Sequence, residues 1–264
     1  MKVLLAVGMC LFLVACSSTG SSDGASGGSP GSAPPKLRAE VLAVLPHDPQ
    51  AFTQGLEMSG DVLYEGTGLE GQSSLRSVDP STAQVAKKVD LPADFFGEGM
   101  TVAGSKIWQI TWKNGVAIQR DKDSLAEVKR VEYEGEGWGL CLAGQRLVMS
   151  DGTDKLTFRD PESFAPVGEV RVSTEGAPVT ELNELECTPQ GVYANVWKTD
   201  TVVRIDPSSG RVTATVDLAG LLNADERANA DVLNGIAAVP GTDEFLVTGK
   251  LWPKMFRVRF VTAG

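Results

Sequence analysis

The sequence predicts an all-β chain built from a repeated unit of about four strands, and three observations carry that expectation. Beyond residue 36 no long stretch shows helical periodicity; apolar residues alternate instead over short runs bounded by Gly, Pro, Asp and Ser. A pattern of strand, Gly-containing turn and strand recurs at Gly55–Tyr64, Gly99–Trp108, Gly139–Val148, Glu184–Tyr193 and, with two extra residues in its turn, from Gly235. Between the third and fourth strands of the first four units stands a turn signal headed by Asp79, Asp121, Asp160 or Asp206, with Pro following three of them.

Anchored on Leu56, Met100, Leu140, Leu185 and Ile236, the repeats are spaced 44, 40, 45 and 51 residues apart. Periods of that length with four strands each are the signature of propeller blades, and five anchors give a five-bladed β-propeller. The fifth unit runs out after three strands, at Phe256–Phe260, while an unpaired strand, Ala39–Leu45, precedes the first. That N-terminal strand is expected to complete the last blade, closing the ring and removing an exposed edge. The propeller is assigned to residues 37–264.

Two segments precede it. Lys2 and the apolar run from Val3 to Ala15 describe a secretory signal over residues 1–15, too short for a span of about 20 residues. Leu13-Val14-Ala15-Cys16 resembles a bacterial lipobox, which implies cleavage before Cys16, lipid on its sulfur and a membrane anchor. Ser17, by the same resemblance, implies sorting to the outer membrane, facing the periplasm. Residues 16–36 are dominated by Ser, Gly, Ala and Pro and read as a flexible tether. Cys141 and Cys187 are then the remaining thiols; an oxidising compartment could join them, though spacing alone does not bring them within reach.

Charge and composition exclude several functions. With 24 Lys and Arg against 34 Asp and Glu the formal charge is −10, which argues against a nucleic-acid partner. The single histidine, His47, leaves no His-rich zinc site and no HExxH motif, and any Ser-His-Asp arrangement would have to use it. No metal and no cofactor are expected.

The repeat register gathers a pocket. Two residues before the anchors lie Gln54, Glu98, Trp138, Asn183 and Asn234, on the strands expected to line the axis. The next position is Gly in four of five units, which lets backbones crowd there. Twelve residues after the anchors come Trp112 and Trp197, and the longer fifth turn brings Lys250 into the same register. Adjacent strands run antiparallel, so these two sets share one mouth, flanked by Phe52 and Phe96. An aromatic-walled pocket with a few polar groups is the expected result. Its one ring carboxylate, Glu98, should be desolvated by Phe96, Trp112 and Trp138 and so suited to proton transfer near neutral pH.

His47–Leu56, Gly68–Arg76, Phe96-Gly97-Glu98-Gly99, Glu136–Leu140, Ala194–Trp197 and Gly249–Lys254 resemble the plant-type glutaminyl cyclase family, the metal-independent one, over about residues 40 to 260. The resemblance implies a five-bladed propeller that cyclises the N-terminal glutamine of peptides and proteins to pyroglutamate with loss of ammonia. It implies Glu98 as base and then acid, Lys250 and Asn183 as holders of the developing oxyanion or substrate carbonyl, and Gln54 as a partner of the substrate amide. Phe52, Phe96, Trp112, Trp138 and Trp197 would form the walls, with Asn234 beside them among the substrate-binding residues. A monomer is expected. Cys141 departs from the family's Thr, and Glu70 from an aromatic. Two other readings remain: a non-catalytic envelope scaffold, and a calcium-dependent hydrolase with Glu98, Asn183, Asn234 and Gln54 around the ion.

Overall fold

Short β-branched and aromatic runs separated by Gly and Asp turns fold as strands throughout residues 33–263, the part that the computed structural model describes. The expected signal segment, Cys16 and the expected tether up to residue 32 lie outside the described residues. β1 (Lys36–Pro46) comes first, and three antiparallel four-stranded sheets follow in chain order. These are β2 (Thr53–Ser59), β3 (Val62–Thr67), β4 (Ser74–Val78) and β5 (Val85–Asp90); then β6 (Gly97–Ala103), β7 (Lys106–Thr111), β8 (Val116–Asp121) and β9 (Glu127–Glu132). The third comprises β10 (Leu140–Ala143), β11 (Arg146–Ser150), β12 (Lys155–Arg159) and β13 (Pro166–Arg171). A two-residue hairpin, β14 (Ser173–Thr174) with β15 (Ala177–Pro178), leads into β16 (Leu182–Thr188), β17 (Gly191–Val196), β18 (Thr201–Ile205) and β19 (Val212–Asp217). After one helical turn, α1 (Ala224–Arg227), the chain ends in β20 (Leu233–Ala238), β21 (Glu244–Gly249) and β22 (Lys254–Thr262).

β1 pairs antiparallel with β22 from Leu37↔Thr262 to Pro46↔Lys254. Its first three residues also pair in parallel with β19, so β16–β19 and β20–β22 join through β1 into one eight-stranded sheet. The spacing predicts separate sheets here. The difference lies in the edges: Leu37 and Arg38 pair with β22 on one side and with the free edge of β19 on the other.

Burial grades across each sheet. The first strands β2, β6 and β16 are buried at the ends that begin them, whereas the fourth strands β5, β9 and β13 are largely exposed and carry Lys and Glu. The core therefore lies between sheets, as in the group of Trp108, Ile110, Leu140, Leu147, Met149 and Phe164 contributed by the second and third. Cys141 of β10 and Cys187 of β16 form a disulfide with Cα atoms 5.4 Å apart, fastening neighbouring first strands. The predicted Asp turns also form: Asp79, Asp160 and Asp206 accept from backbone N–H groups two residues on, and Asp121 from one three residues on.

His47 lies at a buried corner. One ring nitrogen meets Trp252 O at 2.7 Å and the other meets Glu65 Oε1 at 3.0 Å, which ties the segment before β2 to the one before β22. Thr53 donates to the same Glu65 oxygen at 2.7 Å, and Arg76 bridges Glu65 and Asp48, each at 2.8 Å. Burial alone would raise the Glu65 pKa, but the charges and hydrogen bonds of His47 and then Arg76 hold it at about 2. Glu65 is thus the carboxylate that pairs the buried Arg76 guanidinium and accepts from His47. Glu65→Gln should cost about 3–5 kcal/mol in urea unfolding at pH 7, because it removes the buried partner of that guanidinium. The cost should be complete above the ordinary carboxylate value of 4.5 and fade progressively as pH falls from there to about 2, where the wild type loses the same charge.

Candidate functional site

Four of the five residues of the expected ring stand at a break in strand pairing; the fifth, Trp138, lies just before β10, whose pairing with β11 is unbroken. Register shifts fall between Thr53 and Gly55, Gly97 and Met100, Leu182 and Leu185, and Leu233 and Ile236. They free Gln54, Glu98, Asn183 and Asn234 from the regular ladder, as a bulge re-aims a side chain. The position after Gln54, Glu98 and Trp138 is crowded. A Cβ on Gly55 would come within 2.6 Å of Met100 N, and one on Gly99 within 2.6 Å of Leu140 N; on Gly139 it would collide with Asn183 O. Where the fourth unit has Glu184 instead, the carboxylate accepts from Leu56 N at 3.3 Å and Ile236 N at 2.8 Å.

Above this ring opens a cavity of about 320 Å³. Gln54, Glu98, Asn183 and Lys250 reach it from below, all at most 5% exposed. Phe52, Phe96, Trp112, Trp138 and Trp197 wall it. The rings form two edge-on groups: Phe52–Phe96–Trp112, with centroids 6.1 and 5.6 Å apart, and Trp138–Trp197 at 5.3 Å. Trp112 and Trp197 directly follow β7 and β17, and Lys250 directly follows β21. Lys198 and Leu251, the residues next to Trp197 and Lys250, turn away through left-handed backbone at φ 62° and 59°.

Asn234 departs from the expected role. It does not line the cavity but is fully buried beneath it, donating to Thr53 O at 3.0 Å and Gln54 Oε1 at 3.3 Å. Gln54 in turn donates to Glu98 Oε1 at 3.2 Å, so Asn234 orients Gln54 and Gln54 holds Glu98. This also breaks the supposed calcium ring, since one of its four members is turned toward protein. Among the described residues no group of three His, Cys, Asp or Glu is placed to hold a metal. Gly66–Gly71 has GxGxxG spacing, but it joins β3 to β4 without a helix, so no helix N-terminus awaits a pyrophosphate.

Burial drives the Glu98 pKa well above the carboxylate range; Lys250 opposes the rise and Glu136 adds to it. Burial lowers the Lys250 pKa, which the charges of Glu98 and Asp231 partly restore. The Lys250 ammonium stands 4.8 Å from the Phe52 ring centroid. Lys254 is elsewhere, paired with Glu226 on α1. Asn183 Oδ1 is buried without a hydrogen-bond partner, an acceptor available to whatever enters.

Sequence reasoning missed four lining or supporting residues, Glu136, Lys198, Asp231 and Val232. Glu136 Oε2 accepts from the indole N–H of Trp112 at 2.7 Å and of Trp138 at 3.0 Å, joining walls from two aromatic groups. Lys198 and Asp231 complete the rim. Glu136 is two residues from Trp138 in the same run, a spacing that could have suggested it; Asp231 lies in an irregular segment with no repeat register.

A family model described as glutamine cyclotransferase matches residues 9–260. The glutaminyl-peptide cyclotransferase of Arabidopsis thaliana is 40% identical over 231 residues, 85% of this chain and 72% of that one. The crystal structure of Myxococcus xanthus glutaminyl cyclase matches with a TM-score of 0.79 at 37% identity, covering 88% of this chain and 100% of that one. The β-propeller domain of Cps50 (Swd1) from Myceliophteria thermophila matches with a TM-score of 0.50 at 8% identity over 85% of this chain and 100% of that one, a likeness of fold alone.

The carboxylate of Glu136 adds to the rise at Glu98, so Glu136→Gln should move the Glu98 titration to lower pH. Carboxyl-carbon NMR of labelled Glu would follow it. An unmoved titration would mean that the two carboxyls are electrostatically independent.

Proposed function

The chain belongs to the glutamine cyclotransferase family and has its glutaminyl-peptide cyclotransferase activity; we propose that this activity runs through Glu98 as base and then acid. The observation that carries the reading is a dry carboxyl, held by Gln54, that shares one aromatic cavity with a buried lysine. An N-terminal glutamine folds within the walls so that its α-amino nitrogen faces its own γ-amide carbon. The Glu98 carboxylate takes a proton as that nitrogen attacks. Negative charge develops on the γ-amide oxygen, where Lys250 and the amide N–H of Asn183 stabilise it. As the tetrahedral intermediate collapses, the C–N bond to the γ-nitrogen breaks. Glu98 returns the proton to that nitrogen, ammonia leaves, and the ring is pyroglutamate. Both reacting groups belong to one side chain, so holding it folded supplies much of the acceleration.

The same reading treats the sheets as five blades about one axis, β1 completing the fifth. The first-strand register and the β1–β22 pairing support it. It also treats the protein as an exported monomer, anchored through lipid on Cys16 in the outer membrane and facing the periplasm. The Cys141–Cys187 disulfide supports an oxidising compartment. Cys16→Ser should release the protein from the membrane fraction; a variant still sedimenting with membranes would remove the lipid from the account.

Ammonia release from a glutaminyl dipeptide amide should survive EDTA and fall by about 10²–10⁴-fold in Glu98→Gln. Release only without EDTA would return a metal to the chemistry, and full activity in Glu98→Gln would remove Glu98. The acid limb of kcat/KM should lie above 4.5, because Glu98 must be ionised and burial raises its pKa. The alkaline limb should lie below 10.5, because Lys250 must stay charged and burial lowers its own. An acid limb at the ordinary carboxylate value would mean that a different group accepts the proton.

A further inference from the structure

A second hollow of about 300 Å³ adjoins the cavity and shares Lys198, Asp231 and Val232 with it. Its far wall is Thr199, Asp200 and Arg227, the last two joined by an ion pair of 2.7 Å. The partition between the hollows is fixed in place. Asp231 N donates to Lys250 O and Lys250 N to Val232 O, both at 2.9 Å, and the Trp252 indole donates to Asp231 O at 2.9 Å. Asp231 and Lys198 have no ion-pair partner among the described residues, although Asp200 and Arg227 beside them do. Lys198 lies over the Trp197 ring, 4.0 Å from its centroid.

A peptide seated by its first residue must leave the cavity across the rim, and its polar backbone leaves most cheaply where the rim is polar. Most of the wall is aromatic; the polar stretch is Lys198 and Asp231, and beyond it lies this hollow. We infer that the hollow lined by Asp200, Arg227 and the Lys198–Asp231 rim is the subsite for the second residue of the peptide. It accepts side chains of either charge because it offers both a cation and an anion. The inference rests on the cyclotransferase reading and extends it from the reacting residue to its neighbour.

Steady-state ammonia release would be measured with Gln-Glu-NH2 and Gln-Lys-NH2, each relative to glutamine amide, which carries no second residue and reads whether a variant still folds and cyclises. The wild type should use the two dipeptides comparably. Arg227→Glu leaves the hollow acidic and should shift the ratio of kcat/KM toward the lysyl peptide by roughly fivefold or more. The charge-swapped double variant Asp200→Arg/Arg227→Asp should bring the ratio back toward the wild-type value. Lys88→Glu is the control for the opposite side, because Lys88 lines a different hollow that shares only Phe52 with the cavity. An unchanged ratio in Arg227→Glu overturns the assignment, as does an equal or larger shift in Lys88→Glu. No release from any substrate, glutamine amide included, overturns the cyclotransferase reading and this inference with it. Release that is insensitive to Arg227 overturns this inference alone.

Discussion

The closeness of the first strands to one another governs this structure. Gly55, Gly99 and Gly139 each face the backbone of the next first strand at a distance where a Cβ does not fit. Such packing needs glycine, but it also needs something to satisfy the amides that crowding pulls out of register. Glu184 does this in the fourth unit, reaching Leu56 N in the first sheet and Ile236 N on β20. The breaks in pairing fall on the residues just before, which leaves their side chains free to point into the cavity rather than across a ladder. Site and scaffold are thus consequences of one steric constraint.

The same constraint keeps the cavity floor dry, and dryness sets its electrostatics. Glu98 and Lys250 are both buried, and each is pushed toward its neutral form while the other's charge resists. The side chain that Glu98 hydrogen-bonds is Gln54, an amide, which holds the carboxyl in place without cancelling its charge. A lysine locked onto the carboxylate would neutralise the base and would be unavailable to the developing oxyanion. The aromatic walls preserve this arrangement by excluding the water that would screen it.

The fold class was legible because the repeat is carried by residues with strong local physics: Gly at crowded positions, Asp at turns, alternation in strands. The same register brought Gln54, Glu98, Asn183, Trp112, Trp197 and Lys250 to one cavity, since a repeat that fixes one unit fixes its counterparts. What it did not give is side-chain direction. Asn234 has the same register position as Glu98 but turns down to Gln54, because a bulge frees a side chain without deciding where it points. Nor could it reach Asp231, which follows the irregular segment around α1, or the sharing of β1 between β19 and β22, in which Leu37 and Arg38 pair on both edges.

A second tier of charge stands around this site. Glu136 fastens Trp112 and Trp138 by their indole N–H groups, and its charge also adds to the pKa rise at Glu98. Asp231 fixes the backbone that carries Lys250, and its charge helps to keep that lysine protonated. Each of these carboxylates therefore holds a wall or partition in place and tunes the buried group behind it. On the proposed mechanism this tuning takes the place of an imidazole, since the one histidine, His47, is committed to a structural corner. Burial moves the carboxyl up and the ammonium down, and the charge of each limits the shift of the other.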